Sequence, residues 1–222
     1  LAQAVDWQAG GSIVIAATGF VQTENEDTTI ASISSDGMSL TLSEPLNFTH
    51  IATIQTIAGR TIETSAEVGY LTRNVVVRGN VQTEWHRDIP ACPTKFLPGQ
   101  FEIQSCFEGR FGAESINDMF GSQIMIHAAM QNTARAAARI EYVEVTHAGQ
   151  AFRLGRYPIH FHLNGNISGS YVRGCAIHHT FNRAVTIHAV NYLLVEKNVA
   201  YNILGHAFFL EDGVEVGNVI QD

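Results

Sequence analysis

Pro158-Ile159-His160-Phe161-His162, Ala184-Val185-Thr186-Ile187-His188 and Ala207-Phe208-Phe209-Leu210-Glu211 are three copies of one pattern. The first falls on the second at an offset of 26 residues, and the second on the third at 23. Cys175-Ala176-Ile177-His178-His179 falls on Asn198-Val199-Ala200-Tyr201-Asn202, again at 23. A repeat of roughly 20–50 residues is the signature of a solenoid or a propeller. Here each repeat holds two or three short strand-like runs with Gly, Asn or His at the corners. Such a unit cannot bury its apolar face alone and must stack on its neighbours. The reading is an all-β chain built as a parallel β-helix.

Residues i and i+2 of a strand face the same way. Ile159 and Phe161, Val185 and Ile187, and Phe208 and Leu210 are therefore expected to point inward. His160 and His162, Thr186 and His188, and Phe209 and Glu211 are expected to point outward. Adjacent coils lie about 4.8 Å apart, so His162, His188 and Glu211 should form a column. His160 and His162 would stand about 6.6 Å apart along one strand, close enough for two imidazoles to converge on an ion. His188 adds a third nitrogen donor, and Glu211 or Asp212 follows as a further ligand or as the group that orients one. The candidate catalytic set is thus His160, His162, His188, Glu211 and Asp212, with His160, His162 and His188 as ligands of a divalent metal, zinc or calcium. A competing reading of the same column is a polar ladder whose imidazoles hydrogen-bond from coil to coil. His178, His179 and His206 read as corner and packing residues.

Upstream of the repeats the chain changes character twice. Residues 1–57 read as short strands separated by turns, with Asp36-Gly37 between Thr28–Ile33 and Leu40–Leu42 as a hairpin signal. Residues 58–222 read as β-helix coils, the first announced by Arg73-Asn74-Val75-Val76-Val77-Arg78-Gly79. Within them, residues 81–122 form a loop-like excursion with three prolines, too long for an ordinary connection. It holds Cys92 and Cys106, whose bridge would be worth about 3 kcal/mol and would keep so long a loop ordered. A zinc pair competes with the disulfide, although no CxxC spacing supports it. Ala128 to Arg139 favours helix by propensity, but strand is expected to win from Arg139 onward. Cys175 is expected to face the core as a free thiol.

The composition agrees with a stacked-strand protein. Of 222 residues, 45% are hydrophobic and only 15% charged, which is the reverse of a disordered chain. Nothing reaches the run of about 18 apolar residues that spans a bilayer. A net charge of −8 counts against nucleic acid as a partner. Between Arg135 and Lys197, however, there are seven basic and three acidic residues, a local balance of +4. Arg156 and Arg183 flank the histidine strands and are the candidate contacts for an anionic glycan, against the plainer reading that these arginines only solvate outer faces. Protonating all ten histidines would carry the net charge to +2, so anion binding is expected to strengthen toward pH 6. The chain opens on Leu1-Ala2-Gln3 and closes inside a strand-like Val219-Ile220-Gln221-Asp222, which reads as a piece of a longer protein.

Gly155 to His162, Cys175 to Arg183 and Gly205 to Gly213 resemble the fibrocystin and fibrocystin-L group. Less closely, they resemble the cell-migration-inducing hyaluronan-binding protein and its transmembrane relative. Val5-Asp6-Trp7 through Pro45-Leu46 is similar to the end of the G8 domain found in those proteins. The resemblance implies a right-handed parallel β-helix preceded by a small G8-like segment, within a large, membrane-anchored protein of the cell surface. It implies either a structural or binding module for glycans and extracellular proteins, or a hyaluronan-like polysaccharide-degrading enzyme. The carboxylate supply for glycoside cleavage is thin, being Glu211, Asp212 and Glu215 bunched at one end. Asn47-Phe48-Thr49 and Asn166-Ile167-Ser168 match the N-glycosylation pattern. Together with the cysteine pair they favour an extracellular setting.

Overall fold

The computed structural model describes residues 1–80, 85, 120–128, 136–151 and 153–222. These are all-β apart from one short 3-10 turn at Gln22–Glu24. They form two compact units, Leu1–Thr72 and Arg73–Asp222.

In the first unit, β1 (Ser12–Ile15), β2 (Glu26–Ile33), β3 (Leu40–Leu42) and β6 (Val68–Tyr70) make one sheet in the order β3-β2-β1-β6. Every pairing in it is antiparallel. The Asp36-Gly37 turn joins β2 to β3, and Gly37 takes a positive φ of 71° there. Ile13, Ile15 and Ile30 are the buried centre, and Trp7 stacks on Tyr70 beside them at 5.1 Å. β4 (Ala52–Ile57) and β5 (Arg60–Ser65) form a separate hairpin. Residues 58–72 therefore pair within the first unit: β5 returns along β4, and β6 pairs with β1. The division falls after Thr72, later than a boundary at residue 57.

Among the described residues, the second unit forms four coils of three strands each. The first coil is β7 (Val75–Arg78), β8 (Ile124–His127) and β9 (Arg139–Glu141); the second is β10 (Val143–Thr146), β11 (Ile159–Asn166) and β12 (Tyr171–Arg173). The third is β13 (Ala176–Thr180), β14 (Val185–Asn191) and β15 (Leu194–Glu196); the fourth is β16 (Val199–Ile203), β17 (Phe208–Leu210) and β18 (Val219–Gln221). Corresponding strands stack into three parallel sheets, β7-β10-β13-β16, β8-β11-β14-β17 and β9-β12-β15-β18. Ile159 pairs with Val185, Val185 with Phe208, and Ala176 with Val199. These are the offsets of 26 and 23 seen in the sequence, so the repeat and the register are the same fact.

The core follows from the alternation. Ile159, Phe161, Val185 and Ile187 are at most 1% exposed. Burying side chains of this size is worth about 1.5–3 kcal/mol each. Phe208 packs against the same core, whereas Leu210 stays 38% exposed in the fourth coil, beyond which no further strand stacks among the described residues. Cys175 is buried as a free thiol. Each coil turns through single left-handed residues. Tyr142, Gly174 and Lys197 follow the third strands, His147 follows β10, and His179 and Asn202 are next to last in β13 and β16, all with φ between 49° and 61°. Asn and His tolerate this conformation better than most side chains.

Most of the 81–122 excursion, including Cys92 and Cys106, lies outside the described residues, as do residues 129–135 of the helix-favouring run. β9 begins at Arg139, where strand was expected to prevail.

Candidate functional site

Sheet β8-β11-β14-β17 carries the expected column. His127 pairs with His162, and His162 with His188. Glu211 follows one step beyond the Ile187–Leu210 pair, its N–H donating to the Ile187 carbonyl. His160, His162 and His188 converge: one ring nitrogen from each lies within 4.8 Å of the others. Ring centroids are 4.9 Å apart for His160–His162 and 4.7 Å for His162–His188, both edge-on.

The alternation puts His160 and Thr186 outside the coil, but neither meets solvent: His160 is 2% exposed and Thr186 fully buried. Tyr157 packs edge-on against His160 at 4.8 Å between ring centres. The Gly155 carbonyl accepts a hydrogen bond from His160 Nδ1 at 3.1 Å. That bond places the proton on Nδ1 and leaves Nε2 with its lone pair. Nε2 is buried with no hydrogen-bond partner among the described residues, as are His162 Nδ1, Thr186 Oγ1 and Glu211 Oε2. Buried polar atoms are rarely left so, and a group of them is a sign of a ligand or bound water.

Burial disfavours protonation of His160 and His162. Burial pushes the His160 pKa down to about 4, outweighing the Gly155 bond, with His162, His188 and Arg183 adding to the shift. Burial also lowers His162, helped by His188 and His127 and opposed by Glu211 and Asp212. The gain of positive charge expected toward pH 6 therefore does not come from His160, and the lowered pKa of His162 works against it there.

Beside His188 stand two acids, one near each ring nitrogen. Asp212 Oδ2 is 3.4 Å from His188 Nε2, and Glu211 Oε2 is 3.8 Å from His188 Nδ1. Glu211 is held from behind: Tyr157 Oη donates to its Oε1 at 3.2 Å, and Arg183 Nη1 donates to Tyr157 Oη at 2.8 Å. Arg183 is only 8% exposed, lies over the Tyr157 and Phe209 rings, and comes within 3.5 Å of Glu211. It is thus not an outward-facing cation ready for an anion; its charge is directed at Glu211. Arg156 is exposed, next to the Gly155 that holds His160.

Three contributors were missed in the sequence. His127 ends an Ile-Met-Ile-His run that repeats Ile159 to His162 at an offset of 35, and that match was the available signal. Tyr157 carries no periodic signal, because it sits in the turn before β11. The third is a separate histidine network around β10 and β13. His178 lies on β13 itself, its Nε2 3.3 Å from Glu144 Oε1, and its Nδ1 2.8 Å from His179 Nδ1. Asn202 Nδ2 lies 3.2 Å from His179 Nε2, and Thr146 Oγ1 lies 2.8 Å from His147 Nδ1. Trp85 meets the His179 ring edge-on and donates to the Thr180 carbonyl. His206 packs on Phe209. Of the two glycosylation candidates, Asn47 is exposed with its backbone and side-chain nitrogens both donating to Glu26. Asn166 is exposed at the end of β11, its Oδ1 accepting from the Ser168 N–H.

Comparison with known proteins carries the resemblance over the full chain. Residues 119–222 match the CEMIP beta-helix family model. Fibrocystin-L of Homo sapiens is 55% identical over 225 residues, covering all of this chain and 5% of that protein. The cell surface hyaluronidase CEMIP2 and the cell migration-inducing and hyaluronan-binding protein, both of Homo sapiens, are each 33% identical. Each match covers 96% of this chain and 14% of the relative. The chain thus spans a small fraction of the length of the relatives it matches.

Proposed function

We propose, on the premise that this chain is similar throughout to a segment of fibrocystin-L and over residues 119–222 to a CEMIP beta-helix, that it is a rigid binding module of an extracellular, membrane-anchored cell-surface protein. The β-helix is right-handed, the first strands are the end of a G8-like domain, and Cys92–Cys106 and glycans on Asn47 and Asn166 suit that setting. The ligand class is an anionic glycan or an extracellular protein. The observation that carries the reading is Arg156: an exposed cation beside the Gly155 carbonyl that holds His160, in a stretch of local positive charge. Two relatives whose names speak of hyaluronan support the glycan arm. Solid-phase binding of size-defined hyaluronan tests it. The wild-type chain should bind, and Arg156→Glu should weaken binding several-fold; equal binding by both, or none by the wild type, ends this reading.

A second reading, polysaccharide cleavage, is favoured by Glu211 and Asp212 standing beside His188 on a partly exposed face. Two acids with a neighbouring imidazole offer groups for proton transfer to and from a glycosidic oxygen. Hyaluronan chain length after incubation with wild type, His160→Ala and His188→Ala decides it. Shortening by the wild type alone is the expected result; no shortening by any of the three rejects cleavage.

A further inference from the structure

We infer that His160, His162 and His188 form a binding site for one nitrogen-preferring divalent cation of the zinc class, with a coordination position left open toward Asp212 and Glu211. The claim resolves the chemistry of the metal within the histidine-centred reading above, but it stands whether or not a glycan is bound or cut.

The two histidine clusters among the described residues supply the argument, because the ring nitrogens of one face carboxylate, amide or hydroxyl partners and two buried ring nitrogens of the other face none. Around His178 each imidazole has a partner. Glu144 faces His178, His178 faces His179, Asn202 faces His179, and Thr146 faces His147. In that cluster only His178 Nε2 is a buried ring nitrogen without a hydrogen bond among the described residues, and it has the Glu144 carboxylate 3.3 Å away. In the other cluster no ring nitrogen is hydrogen-bonded to another ring, although the centroids are equally close. His160 Nε2 is the telling atom. It belongs to a residue 98% buried by its 2% exposure, its tautomer is set by the Gly155 carbonyl, and its lone pair has no donor among the described residues. His162 Nδ1 is in the same state. One nitrogen from each of the three imidazoles lies within 4.8 Å of the others, and neutral rings can turn their lone pairs toward one another at that spacing only if a cation or a donor sits between them.

Zinc–imidazole bonds are about 2.0–2.1 Å, so the nitrogens of a tetrahedral site stand about 3.4 Å apart. Small rotations of the rings about their Cβ–Cγ bonds supply the contraction from the present spacing, because β11 and β14 fix the backbone. Three neutral nitrogens select zinc, copper, nickel or cobalt over calcium, which prefers six to eight oxygens. The Nδ1–H of His160 on a backbone carbonyl is the usual means of fixing a metal-binding ring. Asp212, 39% exposed, lies on the open side of His188, where a fourth ligand or water would enter.

Cobalt(II) is the probe, since its visible absorption reports both nitrogen donors and coordination geometry. The full 222-residue chain, stripped with chelator, is titrated with Co2+ and then back-titrated with Zn2+ or Ca2+. One Co2+ per chain with a four- or five-coordinate spectrum is expected, displaced by an equivalent of Zn2+ but not by a thousand-fold excess of Ca2+. His188→Ala should lose at least a hundred-fold in affinity, whereas His179→Gln in the other cluster should bind like wild type. As a check independent of variant folding, Zn2+ should raise the melting temperature of the wild type and leave that of His188→Ala unchanged. No stoichiometric Co2+ on folded wild type overturns the inference, as does displacement by Ca2+ or loss of binding in His179→Gln but not in His188→Ala. Metal bound without any hyaluronan binding or cleavage counts against the functional reading and leaves the site standing. Hyaluronan binding without metal does the reverse.

Discussion

The guanidinium carbon of Arg183 lies 3.8 Å from the centre of the Phe209 ring, across the step from the third coil to the fourth. The same side chain donates to Tyr157 Oη and approaches Glu211, so one buried cation ties three elements together. Removing it strips a desolvated cation–π contact and leaves Glu211 buried without its counter-charge. Arg183→Ala should cost about 3 kcal/mol of unfolding free energy. Arg183→Lys should recover less than half, because an ammonium cannot serve the ring and the phenol together. Urea titration of the three proteins measures both values.

Gly174 turns the second coil into the third at φ +61°, and a Cβ there would stand 2.5 Å from the Tyr142 ring. Gly174→Ala should therefore lose about 2 kcal/mol, from left-handed strain plus the clash. Adding Tyr142→Ala should return part of that loss by removing the clash and none of the strain. Thermal melts of the single and double variants would show the partial recovery; full recovery would mean that strain plays no part.

Glu26 ties the 47–50 segment to β2. Burial alone would raise its pKa, but hydrogen bonds from the Asn47 backbone, His50, the Phe48 backbone and the Asn47 amide outweigh it and lower it to about 2. A carboxyl whose folded value lies below the ordinary 4.5 favours folding in its ionised form. Its contribution is complete above pH 4.5 and is lost as pH falls toward 2. Melting temperature should fall across that window in the wild type. In Glu26→Gln it should be lower at pH 7 and flatter below pH 4.5.

Cys175 is fully buried, and burial raises its pKa. A thiol in that state reacts neither as an accessible group nor as a thiolate. Maleimide labelling of the native chain should leave Cys175 unmodified for hours and modify it fully in denaturant. Peptide mass mapping of the same samples under non-reducing conditions tests the Cys92–Cys106 bridge.

The coil register was legible because a stacked strand repeats its neighbour's inward residues. The 26- and 23-residue offsets became the pairs Ile159–Val185 and Val185–Phe208 without adjustment. The convergence of His160, His162 and His188 followed from the same alternation. Alternation reports which way a side chain leaves the strand, not what lies over it. Hence the burial of His160 under Tyr157 and the capture of Arg183 by Tyr157, Phe209 and Glu211 could not be read. His178 was assigned to a corner because the turn was sought at paired histidines, whereas only His179 takes the left-handed conformation. The first unit's extent was underread for another reason: β6 pairs with β1 across most of that unit's sequence, and distant antiparallel pairing leaves no periodic trace.

The passage from the first to the second strand of each coil is bridged by connections of very different reach. It runs from Arg78 to Ile124, then from Thr146 to Ile159, and finally only from Thr180 to Val185 and Ile203 to Phe208. The strands on either side keep their pairing regardless. This corner is where the chain can accept new sequence without renegotiating its architecture, and it adjoins the sheet that carries the histidines. A change of sequence at this corner therefore alters the border of the histidine sheet while the register of the coils beneath stays as it is.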